Sequence, residues 1–276
     1  MNWRMDLHTH SSMSDGKDTP SELVRNAVRE GMDMLALSDH DCIDGLEEAN
    51  RTAETEGILF LPSLEMDTDY SEELHILGLD VDPHSEQLAG ALQAAKEGRD
   101  QRNVRMVEKL AEIGCETRDV LEKLDGVVTR ADIARAVVEK GFADSVSDAF
   151  EKYLVPGRPC FIPMERISPE NAIRVIHGAG GVAVIAHPCN LKCDSIGLIR
   201  ELYGLGLDGI EAYYRTATPG QTETYRSLAK QLGIMVTCGS DYHGANRPGV
   251  RIGCAWREAD DLLETYRFFK DRISAR

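Results

Sequence analysis

Two rhythms of apolar and polar positions alternate along the chain. Short apolar runs recur at Trp3–Leu7, Met34–Ser38, Ile58–Leu64, Leu74–Val81, Val182–Ala186, Gly209–Tyr213 and Ile234–Cys238. Most are bounded by Gly, Pro or Asp, which predicts buried parallel strands. Between most of them the apolar positions fall at helical spacing, over about 20–30, 44–56, 168–179, 194–204 and 220–232. Two helix starts are plain. Thr19 is a cap, Pro20 the first helical residue, and Glu22 follows three residues after the cap; Ser168, Pro169 and Asn171 repeat the pattern. Repeated strand–helix units predict an α/β fold with a parallel sheet. About seven such strands predict closure into a barrel related to the (β/α)8 type.

The alternation breaks between about 84 and 160. SEQLAGALQAAKEGRDQRNVRMVEKLAEIG, TRADIARAVVEKG and SVSDAFEKYL all read as helix, and VPGRPCFIP then forces an extended path. The expected organisation is a barrel from 1–83 and 161–276, with 84–160 as a helical insertion after the fourth strand, folded over the barrel mouth.

Composition narrows the function. The chain has 276 residues, and 47 acidic against 31 basic side chains give a net charge of −16. That balance disfavours long nucleic acid or an anionic membrane as a partner. It leaves room for a small phosphorylated substrate in a locally basic pocket, and no protein partner is evident. No apolar run reaches the roughly 18–20 residues needed to span a bilayer. Asp6, His8 and His10 interrupt any signal region at the start. Seven scattered cysteines, with only Cys189 and Cys193 close together, argue against a disulfide framework. A cytoplasmic location is expected.

The residues that can carry chemistry follow the strand map. His8 and His10 end the first strand, Asp39 and His40 the second, and Glu65 the third. His75 lies at the fourth, His187 ends the fifth, and Asp241 and His243 follow the seventh. Barrel enzymes build their sites at the carboxyl ends of strands. Six of the eight histidines fall beside strand ends; His84 and His177 do not. Side chains two apart on an extended segment share a face, so His8 and His10 can point together while Thr9 points away. Asp15, before Gly16, reads by itself as a turn residue. Imidazole with carboxylate, without clustered thiolates, suits Zn, Mn or Fe(II). So many donors exceed one ion's needs and imply two or three. Clustered divalent ions stabilise both attacking and leaving oxygens in phosphoryl hydrolysis.

With these residues assembled, the chain resembles the PHP (polymerase and histidinol phosphatase) family. DLHTHSSMSDG, LALSDHD, SLE, LHILGLD, IAHP and GSDYHG carry the resemblance, in family order over most of the chain. It implies a distorted (β/α)7 TIM-like barrel with a trinuclear site. It also implies one metal held by His8, His10, Glu65 and Asp241, a second by Glu65, His75 and His187, and a third by Asp15, His40 and His243. The insertion, KYLVPGRPCFIP and GIEAYY resemble the stand-alone phosphoesterase branch. That branch includes 3′,5′-nucleotide bisphosphate phosphatases, some of which also trim short RNA from the 5′ end. The implied reaction is removal of the 3′-phosphate of a nucleotide bisphosphate, pAp to AMP and phosphate, with short 5′-phosphorylated oligoribonucleotides as a further substrate.

Supporting roles are less determined. Arg130 and Arg135 in TRADIAR are candidate phosphate ligands, with Lys152 and Arg158 behind them; each also reads as a solvated surface position. Guanidinium suits phosphate because its fork matches two oxygens. Tyr213 and Tyr214 can stack on a base or pack in the core. Asp39 can orient a ligating imidazole or serve a turn. Rival functions are a histidinol-phosphate phosphatase, an amidohydrolase-type hydrolase or deaminase, and a non-catalytic interaction or polymerase-accessory module. The second usually wants a histidine after the sixth strand, where this chain has GIEAYY.

Overall fold

The computed structural model describes residues 3–122, 128–164 and 166–275. The chain forms two compact units, Met1–Ala91 with Ile167–Arg276, and Leu92–Arg166. One helix, Glu86–Glu112, starts in the first unit and continues into the second.

The first unit opens with β1 (Met5–Asp6), α1 (Pro20–Arg29), β2 (Met34–Leu37), α2 (Leu46–Glu56), β3 (Leu59–Pro62), β4 (Leu64–Asp67) and β5 (His75–Leu79). The long helix α3 (Glu86–Glu112) leads to α4 (Arg118–Leu121), α5 (Arg130–Glu139), α6 (Val146–Ala149) and a π-helical turn at Phe150–Leu154. The first unit then resumes with α7 (Pro169–Gly178), β6 (Val182–Ile185), α8 (Ser195–Gly204), β7 (Gly209–Tyr214), α9 (Pro219–Leu232), β8 (Met235–Gly239) and α10 (Asp260–Ser274). The helix starts behave as the sequence predicts. Thr19 and Glu22 close a capping box on α1, and Ser168 accepts the Asn171 N–H on α7.

The strands differ from expectation in two ways. The run Ile58–Leu64 holds β3 and the first residue of β4, separated at Ser63, so the described residues form eight strands rather than seven. They lie in two sheets, a parallel β1-β2-β3 and a mixed β4-β5-β6-β7-β8, in which β5 runs antiparallel to both neighbours. The link from β4 to β5 is too short for a crossover helix, and a short link joins only antiparallel strands. Backbone bonds tie the sheets together, among them Leu7 N–H to Cys238 O at 3.0 Å and Asp41 N–H to Glu65 O at 2.9 Å. The regular ladders do not close into one barrel.

β2 and β6 are buried along their whole length, which is why their runs are apolar without alternation. Leu23, Val24 and Ala27 of α1 pack with Leu35 and Leu37 of β2 in one core cluster. The second unit has its own core around Met106, Leu110, Ile133, Val137 and Leu154. All seven cysteines are free. No described helix is long and apolar enough to cross a membrane.

Candidate metal centre

Local bonding sets the direction of each candidate residue. Beyond β1 the chain stays extended. Thr9 points at β2, where its hydroxyl donates to the Ala36 carbonyl at 2.6 Å and its N–H to Ser38 Oγ at 3.1 Å. His8 and His10 therefore share the opposite face, and both are fully buried. Glu65 and Asp67 likewise share a face of β4, and His75 lies opposite Asp67 in the antiparallel register. His187 follows β6 with φ +32°, and Asp241 follows β8 with φ +53°. Such left-handed conformations cost a non-glycine residue about 1–3 kcal/mol and concentrate at functional sites.

Glu65 is the hub. Its Oε2 lies 3.2 Å from His8 Nε2, 3.2 Å from His10 Nε2 and 3.4 Å from His40 Nε2. Its Oε1 lies 2.9 Å from His75 Nδ1 and 3.0 Å from His187 Nε2. Asp241 Oδ1 is 3.4 Å from His10 Nε2, and Asp15 Oδ1 is 3.1 Å from His243 Nε2. The structure thus gathers all nine residues of the family pattern. Among the described residues, four groups of donor atoms are compact enough to hold an ion. These are His8, His10 and Glu65; Glu65, His75 and His187; His10, Asp15, His40 and His243; and His40, Asp67 and His75. His10 thereby joins two groups, where the family pattern gives it to one ion.

Electrostatics explains why cations suit this cluster. Burial alone would lower the His8 imidazole, but Glu65 and Glu211 outweigh it and hold it well above its ordinary value. Burial is likewise overcome at His40 by Glu65, Asp67 and Asp15, and at His75 by Glu65 and Asp67. Burial would raise Glu65, yet His8, His40 and His75 keep it well below the usual carboxylate range. Burial would raise Asp241 too, but the His10 hydrogen bond and the charges of His8, His243 and Arg247 depress it. The carboxylates demand positive charge. Without a cation the carboxylates favour the protonated imidazoles of His8, His40 and His75, and a divalent ion would displace those protons. A donor atom is also left over: His10 Nδ1 is buried without a hydrogen-bond partner, while Asp15 Oδ1 and His243 Nε2 meet each other at 3.1 Å. Nitrogen and oxygen donors converging in this way fit a divalent cation.

Two supporting carboxylates are absent from the family pattern read in the sequence. Glu211, on β7, is 1% exposed. Its Oε1 lies 3.0 Å from His8 Nδ1, and its Oε2 accepts the His187 N–H at 2.7 Å. It therefore fixes the His8 ring, whose Nε2 faces Glu65, and the backbone at His187. The fit requires Gly239: a Cβ there would lie 2.1 Å from Glu211 Oε1 and 2.3 Å from His8 Cβ. The signal was an acid inside the buried run GIEAYY, which needs a partner. Glu211→Gln keeps the shape and removes the charge. It should weaken metal affinity about 10–100-fold, read by competition with a chromogenic chelator; wild-type affinity would reduce Glu211 to packing. Asp67, the second carboxylate, sits 2.9 Å from His40 Nδ1. It falls two residues after Glu65 on β4, beyond the apolar run Ile58–Leu64, so hydrophobicity does not mark it.

Other expectations need correction. Asp39 does not orient an imidazole. Its carboxylate accepts from Ser11 N–H at 2.8 Å, Ser11 Oγ at 2.6 Å and Ser14 Oγ at 2.6 Å, so it shapes the segment that carries Asp15. Tyr214 offers no face to a base: it is 4% exposed, and its hydroxyl donates to Asp241 Oδ2 at 2.5 Å. Tyr213 is buried and donates to Asp261. In the second unit Arg135 pairs with Asp132 at 2.5 Å and Lys152 with Asp148 at 2.6 Å, one helical turn away in each case. Those pairs match the surface reading. Arg130 opens α5 with its guanidinium 5.9 Å from the Phe150 ring centre, and Arg158 is exposed. His177 stays outside the cluster, paired with Asp208.

Comparison with known proteins agrees with the site. Residues 6–154 match the PHP domain family. A 5′-3′ exoribonuclease of Haemophilus influenzae is 36% identical, over 96% of each chain. A 3′,5′-nucleoside bisphosphate phosphatase of Chromobacterium violaceum is 33% identical, over 90% of each chain. A solved structure of a candidate metal-dependent phosphoesterase from Bifidobacterium adolescentis superposes with a TM-score of 0.85 at 30% identity, covering 99% of this chain and 97% of that one.

Proposed function

The chain belongs to the PHP domain family, and from that premise we propose that it is a metal-dependent phosphoesterase of small nucleotides. Its substrate is the 3′-phosphate of 3′,5′-nucleotide bisphosphates, with pAp converted to AMP and phosphate. Short 5′-phosphorylated oligoribonucleotides are a second substrate class. The observation that carries the reading is Glu65, whose two oxygens face two different histidine groups. Neighbouring cation sites that share a carboxylate suit phosphoryl transfer. The activities of the Haemophilus and Chromobacterium relatives both concern phosphate esters of nucleotides, which supports the substrate class.

Two to three divalent ions, Mn, Fe or Zn, are assigned to this cluster. His8, His10, Glu65 and Asp241 would hold one, Glu65, His75 and His187 another, and Asp15, His40 and His243 the third. Such ions supply Lewis acidity toward the phosphoryl oxygens when bound. The chain's own residues orient that chemistry. Glu211 and Asp67 take the Nδ1 atoms of His8 and His40, leaving Nε2 of each ring directed at Glu65. The same reading takes the two sheets, bridged at Thr9–Tyr242 and His40–Glu65, as parts of one distorted barrel.

The test compares pAp, histidinol phosphate and a short 5′-phosphorylated oligoribonucleotide on Mn-reconstituted protein, with His40→Ala as control. kcat/KM for pAp should exceed that for histidinol phosphate by about tenfold or more, the scale on which a site separates related substrates. Faster release from histidinol phosphate would remove the nucleotide assignment. No release from any of the three would remove the phosphoesterase.

A further inference from the structure

The two oxygens of Asp241 face different chemistry. Oδ1 lies among imidazoles, 3.4 Å from His10 Nε2, 3.4 Å from His243 Nδ1 and 3.7 Å from His8 Nε2. Oδ2 accepts from the Tyr214 hydroxyl, pairs with Arg247 Nη1, and lies 3.9 Å from Arg215 Nη2. Arg215 follows β7 and Arg247 follows β8, so both come from the carboxyl ends of neighbouring parallel strands. Their side chains are half-sheltered, 25% and 34% exposed. Arg215 lies over the Tyr214 ring at 5.2 Å. Its Nε is buried without a hydrogen-bond partner, and 3.9 Å is too long for its Nη2 to hydrogen-bond Asp241.

Two sheltered guanidiniums therefore stand at the rim of a cluster that would itself hold cations. Asp241 Oδ2 is the carboxylate oxygen both approach. Divalent ions on the Oδ1 side would draw on the same negative charge and leave the guanidiniums short of an anion. A group with several charged oxygens completes such a site, because guanidinium forks bind phosphate oxygens in pairs. We propose that Arg215 and Arg247 form a phosphate-binding edge of the metal centre. They hold the non-bridging oxygens of the phosphoryl group that is hydrolysed, while Tyr214 keeps Asp241 Oδ2 in place. This rests on the phosphoesterase reading and moves phosphate recognition from the insertion arginines to the strand ends that carry the cluster.

Inorganic phosphate is the probe. Its binding to Mn-loaded protein is measured by titration calorimetry for wild type, Arg215→Met, Arg247→Met and the two Lys variants, with metal content determined on the same samples. Each Met variant should bind phosphate about tenfold or more weakly, the scale of a lost hydrogen bond to a charged group, at unchanged metal content. Phosphate affinity within about twofold of wild type at equal metal content overturns the proposal, and so does a loss of affinity that only follows a loss of metal. The Lys variants keep positive charge beside Asp241 and decide the matter if the Met variants do not fold: KM for pAp should rise more than kcat falls, and an unchanged KM overturns the proposal. Wild-type hydrolysis of pAp runs alongside. Active wild type with arginine-independent phosphate binding refutes the edge alone. Wild type that neither hydrolyses pAp nor binds phosphate refutes the phosphoesterase reading with it.

Discussion

Glu65→Ala is expected to abolish hydrolysis and to empty two ion sites at once. Glu65 Oε2 faces His8, His10 and His40, and Oε1 faces His75 and His187. No other candidate ligand touches so many rings. Removing it takes a shared donor from two groups and the main negative charge from the cluster. The rate should fall by about a thousandfold or more, at least the loss seen when one preorganised charge-stabilising group is removed. The fold should survive. Each ring keeps another carboxylate beside it: Glu211 for His8, Asp67 for His40 and for His75. Metal content by mass spectrometry, kcat for pAp and a thermal melt on one sample check each part. A folded variant that keeps two ions would show that Glu65 does not bridge.

His8→Ala and Asp15→Ala should deplete different ions, although the two residues lie only seven positions apart. His8 belongs to the group with His10 and Glu65, and Asp15 to the group with His40 and His243. Each substitution should lower the rate by about a hundredfold or more and remove one ion. Anomalous scattering from metal-loaded crystals of each variant would show which site is lost. His10→Ala should disturb both, because its Nε2 faces Glu65 and its Nδ1 lies 3.8 Å from Asp15 Oδ1. Loss of the same single ion from His8→Ala and Asp15→Ala would contradict the division.

The cluster was legible because strand ends place it. Apolar runs mark the strands, histidines and acids follow them, and the spacing His8-Thr9-His10 gives two rings one face. Strand direction was not legible. Leu74–Val81 looks like any other buried run, and only the short link from β4 makes β5 antiparallel. The apolar run Ile58–Leu64 stops at the first residue of β4, so hydrophobicity marks neither that strand nor Asp67. Glu211 is hidden in sequence because it sits inside an apolar run and its partners, His8 and the His187 backbone, are 203 and 24 residues away. Asp39 leaves two readings open in sequence, an imidazole partner or a turn residue, because proximity to His40 says nothing of direction. Adjacent side chains diverge, and Asp39 turns to Ser11 and Ser14. Arg215 and Arg247 carry no motif; their convergence on Asp241 exists only in the folded chain.

The most direct measurement of all is phosphate release from pAp by chelator-stripped protein titrated with Mn. Stripped protein should be inactive, and activity should return with added ion and saturate only after more than one equivalent, yielding AMP and phosphate. Hydrolysis by the stripped protein, or none at full metal loading, would contradict a metal-dependent phosphoesterase built on the Glu65 cluster.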